Sequence, residues 1–313
     1  MRQAAERLVM AIGVQLCLAV PAWAGPDRPT EYSNINTIVN TRHNMTQRSK
    51  TGADLLAGGP NSGGAAQMDT SRNDYGQVCV YCHTPHGSNA ALAAPLWNRA
   101  APTASFVTYN LLGTGASQTY SQPGGSSLVC LSCHDGTQAI DAIMNMPGAG
   151  KYKATPDFSH LESWQPGGFS IGIHLGLNTS ECMVCHAPTG FGAVIAPTAT
   201  DFTVFSIGTD LRDDHPVGVS YPSTNGNGTD WKTPSGSVAK PGGTTLFFDE
   251  NGDGRMQKSE IRLYDTGQGA EVECGSCHDP HGVPSAGVGT GFLPSFLRKT
   301  NVASALCLTC HTK

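Results

Sequence analysis

The chain has 313 residues, of which 14% are charged and 7% aromatic, and its formal net charge is -5. An acidic balance of this kind argues against polyanions such as nucleic acid or an anionic membrane as partners. Glycine (38) and proline (20) exceed the usual globular share without reaching outright disorder, and no long helix-period stripe or regular series of alternating strands is found.

In chain order, Arg2 and Arg7 precede an apolar run from Leu8 to Val20, and Ala22-Trp23-Ala24 places small residues at a cleavage position. Residues 1–24 are therefore expected to be a signal peptide cut after Ala24. The run is short for a bilayer span and no later segment is long or apolar enough, so no transmembrane segment is expected. Cys17 leaves with the signal. Loss of Arg2, Arg7 and Glu6 leaves 17 basic and 23 acidic residues, a formal charge of -6.

The remaining cysteines all lie in five copies of C-x-x-C-H: Cys79/Cys82/His83, Cys130/Cys133/His134, Cys182/Cys185/His186, Cys274/Cys277/His278 and Cys307/Cys310/His311. This spacing is the attachment signature of haem c. Two thiols add to the vinyl groups, and the adjacent histidine ligates the iron from one face. Zinc and iron-sulfur sites use paired cysteines too but need no histidine after them. With histidine at 11 of 313 residues, five such placements by chance have a probability on the order of 10⁻⁷. Five covalently bound haems leave no free thiol or disulfide in the exported chain.

Five large, mostly apolar macrocycles can supply the core that few aromatic side chains would otherwise have to build. The expected fold is loop-rich with little regular secondary structure, short helices at the C-x-x-C-H sites and a core of stacked haems. Residues 25–313 are expected to form a single pentahaem domain. The glycine-rich segments 57–64 and 223–243 read as surface loops.

An internal duplication is visible. C-V-Y-C-H-T-P-H-G at 79–87 matches C-G-S-C-H-D-P-H-G at 274–282, and each is followed by P-x-aromatic-x-R, at Pro95–Arg99 and Pro294–Arg298. Each then meets a plainer site, C-L-S-C-H at 130 or C-L-T-C-H at 307, with C-M-V-C-H at 182 inserted between the two pairs.

The unit H-x-P-H-G carries a reach argument. Two histidines on opposite faces of one iron need alpha carbons roughly 12 Å apart around the ring edge, whereas three extended residues cover about 10–11 Å. His83 and His86 cannot share an iron, nor can His278 and His281, so His86 and His281 must serve neighbouring haems if they are ligands. Beyond the five proximal histidines stand His43, His86, His160, His174, His215 and His281, enough for every iron to be bis-histidine. The expected distal set is His43, His86, His174, His215 and His281, with His160 in reserve because the segment around His174 leads directly to Cys182. Saturated irons point to electron transfer rather than catalysis at the metal.

Asp249, Asn251, Asp253 and Glu260 with Gly254 reproduce positions 1, 3, 5, 12 and 6 of an EF-hand loop, with Arg255 offering its carbonyl, so calcium is expected there. The flanks, Thr244 to Phe248 and Ile261 to Tyr264, look extended rather than helical. A polar hairpin turn is the competing reading.

The ordered set C-V-Y-C-H-T-P-H, P-L-W-N-R, C-L-S-C-H-D-G, D-D-H-P-V-G-V-S-Y-P, C-G-S-C-H-D-P-H-G and C-L-T-C-H resembles the multihaem c-type cytochromes with doubled C-x-x-C-H, in particular outer-surface cytochromes of metal-reducing bacteria that polymerise into nanowires. The similarity covers most of residues 40–313. It implies hexacoordinate haems in a continuous stack, a homopolymer of the chain with itself, redox-partner cytochromes, and extracellular acceptors such as metal oxides. In such filaments a histidine near the N-terminus can ligate a haem of the adjoining subunit, and His43 matches that position. The inserted third site departs from the related tetrahaem layout. Three functions follow as expectations: a filament-forming conduit at the cell surface or outside it, a monomeric periplasmic carrier if His43 serves its own chain, and a multihaem reductase, which would need an open iron.

Overall fold

The structure, a computed structural model, describes residues 38, 41, 43–45, 77–92, 94–109, 121–145, 175–190, 194, 201–222, 230–240, 242–265, 269–283 and 296–312. Each C-x-x-C-H motif sits on a helical turn, which brings residues three apart in sequence to the same side. The first is a 3-10 turn, Val78–Tyr81; the others are α1 (Gly125–His134), α2 (Cys182–Cys185), α3 (Cys274–Cys277) and α4 (Cys307–Cys310). Helix α1 is longer than the single turn expected, because its apolar side has somewhere to go. Leu128 and Leu131 pack with Phe106 and Leu211, ahead of and well beyond the helix in sequence.

A five-stranded antiparallel sheet lies between the third and fourth sites, where no regular strand series was expected. Its strands are β1 (Val219–Ser220), β2 (Gly236–Lys240), β3 (Gly243–Phe247), β4 (Arg262–Asp265) and β5 (Ala270–Val272), in the order β1-β5-β4-β3-β2. The segment 223–243 is accordingly not all loop: β2 and the start of β3 fall inside it, paired Lys240 to Gly243 at a tight turn. Short strands carry too few residues for alternation to stand out in the sequence, and pairing to neighbours compensates for weak individual propensity. The expected extended flanks of the acidic loop are β3 and β4, in register from Thr244 with Asp265 to Phe247 with Arg262. One sheet face meets Tyr221, Phe248, Ile261 and Leu263, which pack with Cys277, Leu306 and Cys310 and so seat the fourth and fifth sites.

The duplication holds in three dimensions, with one correction to its register. Thr84 N donates to Leu96 O (2.8 Å) as Asp279 N does to Phe296 O (3.0 Å), and Asn98 N donates to Cys82 O (2.9 Å) as Arg298 N does to Cys277 O (2.7 Å). Leu96 and Phe296 share a left-handed backbone, φ 54° and 61°. Leu96, Trp97, Asn98 and Arg99 therefore correspond to Phe296, Leu297, Arg298 and Lys299, one residue off the match of arginine to arginine. The side chains follow the backbone rather than the residue type. Asn98 Nδ2 and Arg298 Nε both donate to the carbonyl after the first cysteine, at Val80 O (2.8 Å) and Gly275 O (3.1 Å). Arg99 reaches Ser132 and Lys299 reaches Thr309, the equivalent positions of the two plainer sites. Gly87 and Gly282 end the H-x-P-H-G units at φ 65° and 93°, where a β-carbon would be strained.

Candidate haem-binding sites

The histidines are held in a common manner. Five described rings tie Nδ1 to an oxygen: His83 to Pro95 O (2.7 Å), His134 to Phe205 O (2.7 Å), His43 to Pro280 O (3.3 Å), His215 to Pro216 O (3.1 Å) and His281 to Asp279 Oδ1 (3.0 Å). A ring that donates its Nδ1 proton keeps the Nε2 lone pair for a metal, and the accepting oxygen fixes ring orientation. Burial, opposed by the hydrogen bonds to Pro95, Phe205 and Pro216, holds the pKa values of His83, His134 and His215 below the ordinary imidazole range. Burial, reinforced by His134, holds that of His43 down to about 4. These rings are neutral near neutrality, as ligands must be.

They also come in pairs. The ring centres of His83 and His281 are 6.0 Å apart with planes 13° from parallel, and those of His43 and His134 are 6.1 Å apart with planes at 79°. An imidazole nitrogen binds a first-row metal at about 2.0 Å and lies about 1.1 Å from its ring centre, so two rings on opposite sides of one ion have centres about 6.2 Å apart. Both pairs match that span. His215 and His311 are close enough for charge on one to oppose charge on the other. His43 thus faces a histidine of its own chain. His186 stacks on Phe202 at 3.9 Å, and Phe205 N donates to Phe202 O (2.9 Å), so the third site leans on the same loop that holds His134. His160 and His174 lie outside the described residues.

The cysteine surroundings suit an apolar macrocycle. Burial above all pushes the Cys82 thiol up to about 12 and the Cys277 thiol up to about 11, so thiolate is disfavoured there. Among the described residues, the buried donors Trp97 Nε1 and Arg262 Nε meet no partner. The first stands edge-on to His83, ring centres 5.8 Å apart, where a haem carboxylate could accept from it. The paired rings, apolar cysteines and orphaned donor together fit haem c.

Several supporting residues carry no sequence signal. Arg99 is fully buried and directs all its donors at Ser132 Oγ and the carbonyls of Ser132, Ala139, Ile140 and Ala142, binding the first site's loop to the second. Glu273 accepts from Gly124 N (2.9 Å) and Ser127 Oγ at the start of α1, while its own N–H donates to Ser276 Oγ (2.9 Å) in α3. Arginine and glutamate at a site edge look like ordinary surface residues until the fold buries them.

In the acidic loop, Asp249 accepts from the amides of Gly252 (2.7 Å), Asp253 (3.2 Å) and Gly254 (2.8 Å), and Asp253 Oδ1 from that of Arg255 (2.8 Å). Glu260 accepts from the amides of Glu250 (3.3 Å) and Gln257 (2.7 Å). Among the described residues no group of three or more His, Cys, Asp or Glu side chains is arranged to hold a metal ion, so the hydrogen-bonded turn is the arrangement seen.

A family model for the doubled CXXCH motif matches residues 268–313, which contain the fourth and fifth sites. That segment is a haem-binding region of c-type cytochrome kind, carrying covalently attached haem c. No curated protein matches the chain.

Proposed function

We propose that the chain is an electron-transfer protein with five haems c, each iron held between two histidines. The observation that carries this reading is the pairing of His83 with His281 and His43 with His134 at 6.0 and 6.1 Å. His134, His83, His186, His278 and His311 are the proximal ligands, His43, His281 and His215 serve the second, first and fifth sites, and His86 and His174 complete the set. A bound haem supplies a reversible one-electron couple. The polypeptide saturates the irons, so that no position is open to substrate, and burial keeps the imidazoles of His43, His83, His134 and His215 neutral. It also holds neighbouring sites together, with Ser127 of α1 donating to Glu273 beside the fourth motif and Arg99 spanning the first and second sites. The acidic surface favours a cationic redox partner or an oxidised mineral as acceptor, reached after export. Calcium at Asp249, Asn251, Asp253, Arg255 and Glu260 would brace the β3–β4 hairpin.

The test is a haem count by pyridine haemochrome together with electron paramagnetic resonance on assembled protein. Five haems per chain and low-spin iron throughout are expected. Fewer haems, or a persistent high-spin iron in every aggregation state, would return the case to the reductase.

A further inference from the structure

Among the described residues, the rings of His83, His134, His43 and His215 tie Nδ1 to a backbone carbonyl, whereas that of His281 meets a carboxylate, Asp279 Oδ1 at 3.0 Å. The second oxygen of that carboxylate accepts from Arg298 Nη1 at 3.1 Å, and both side chains are buried, Asp279 at 8% exposure and Arg298 at 4%. Arg298 is held in turn by the carbonyls of Gly275 (3.1 Å) and Lys258 (2.8 Å), which keeps its charge against Asp279. A carboxylate paired with a guanidinium only accepts hydrogen bonds. The proton shared with His281 therefore sits on Nδ1, and Nε2 keeps its lone pair.

This arrangement separates the second repeat from the first. Thr84 occupies the backbone position of Asp279, its amide donating to Leu96 O as that of Asp279 does to Phe296 O, and Asn98 occupies that of Arg298. Thr84 Oγ1 donates to His86 O (2.9 Å), and the Asn98 amide meets Val80 O and Asn145. The carboxylate and the arginine that holds it thus occur together in one repeat, where the other has a hydroxyl and an amide. Turn formation does not account for the pair. Asp279 Oδ1 also accepts from His281 N (3.1 Å), but an asparagine makes that contact equally well and needs no buried guanidinium on its other side.

We propose that Asp279, held by Arg298 and acting through His281, lowers the reduction potential of the first-site haem. The proposal deepens the electron-transfer reading and rests on taking His83 and His281 as that site's axial pair. A carboxylate draws on the Nδ1 proton more strongly than a neutral carbonyl and makes Nε2 the better electron donor. Stronger donation favours iron(III), with its additional positive charge, over iron(II). The site gains or loses one electron, exchanged with a neighbouring haem, while the Nδ1 proton stays on the ring. Asp279 is a positioning residue, since it touches the ligand and not the metal. It biases the first site towards passing its electron on.

The experiment is a potentiometric titration of the full haem-loaded protein, followed by optical absorption and paramagnetic resonance. The first-site component is identified as the one that His281→Ala converts to high spin. In Asp279→Asn, which keeps an acceptor for His281 but loses the charge, the haem count and low-spin signals should be retained. The reduction constant of the first site should rise about tenfold, a midpoint shift of about 59 mV for one electron, with the other midpoints in place. Asp279→Thr, the residue the first repeat carries there, should shift the same midpoint upwards, and Asp279→Glu, which keeps the charge, should return it towards wild type. A first-site midpoint unmoved in the Asn and Thr variants, or a shift shared equally by every haem, would overturn the proposal and leave the axial pair standing. Iron that stays low-spin throughout in His281→Ala would sink the axial pair itself, and the proposal with it.

Discussion

Glu273 gives the sharpest test of how the repeats are joined. Its side chain is at 2% exposure, between α1 and α3. Burial raises its carboxyl from 4.5 to about 7, against the hydrogen bonds from Ser127 and Gly124 and with the charge of Glu271 adding to the rise. Between those two values the folded protein keeps a proton that the unfolded chain has released, so stability falls as pH rises through the window and is fully retained below it. At 1.36 kcal/mol per pK unit, the ionised carboxylate at pH 8 costs about 3 kcal/mol relative to the unfolded chain. Glu273→Gln removes the titration and keeps an acceptor for Gly124 N. Denaturant unfolding of the haem-loaded proteins at pH 5, 6, 7 and 8 should show wild type losing about 3 kcal/mol relative to the variant as pH rises. Parallel curves for the two proteins would refute the buried-carboxyl account.

Gly136 has φ 76°, and a β-carbon there would lie 2.8 Å from Leu177 O, so Gly136→Ala should cost about 1–3 kcal/mol in thermal unfolding and loosen the third site's segment from the first repeat. Arg99→Lys keeps the charge but offers fewer, differently aimed donors to the carbonyls of Ser132, Ala139, Ile140 and Ala142; a loss of about 2–4 kcal/mol is expected, and an unchanged midpoint would show that those bonds add little. Asn98→Ala strips donors from Val80 O (2.8 Å) and Asn145 O (2.9 Å) and an acceptor from Asn145 N (2.9 Å) in a fully buried position, which should lower stability by about 2–3 kcal/mol in chemical unfolding. Calcium added to chelator-treated protein should raise the unfolding temperature, with the rise abolished in Glu260→Gln; no rise would leave the β3–β4 loop as a hydrogen-bonded turn.

How much of this was legible in the sequence depended on the range of the interaction. The turns at the C-x-x-C-H motifs were, because two cysteines and a histidine at fixed spacing are a local chemical pattern. The impossibility of His83 and His86 sharing an iron was also legible, since chain reach is a local quantity. The sheet was not: strands such as Val219–Ser220 and Ala270–Val272 are too short to leave a pattern and exist because they pair. Nor was the register of the duplication. Matching Arg99 to Arg298 is natural by residue type, but the backbone pairs each position with the one before, and Asn98 and Arg298 fill the same role with different chemistry.

The sequence by itself determined five C-x-x-C-H motifs, their arrangement as two pairs around an insert, and six histidines outside the motifs. Which histidine faces which was decided only by tertiary structure. His43 meets His134, and His281 meets His83, through segments far apart in the chain that are brought together by Pro280, Phe296 and the buried contacts of Glu273. The physical reason is that a spacing motif constrains distance along the backbone, whereas a ligand pair needs two rings about 6 Å apart on opposite sides of one ion, a condition that packing between repeats alone can satisfy.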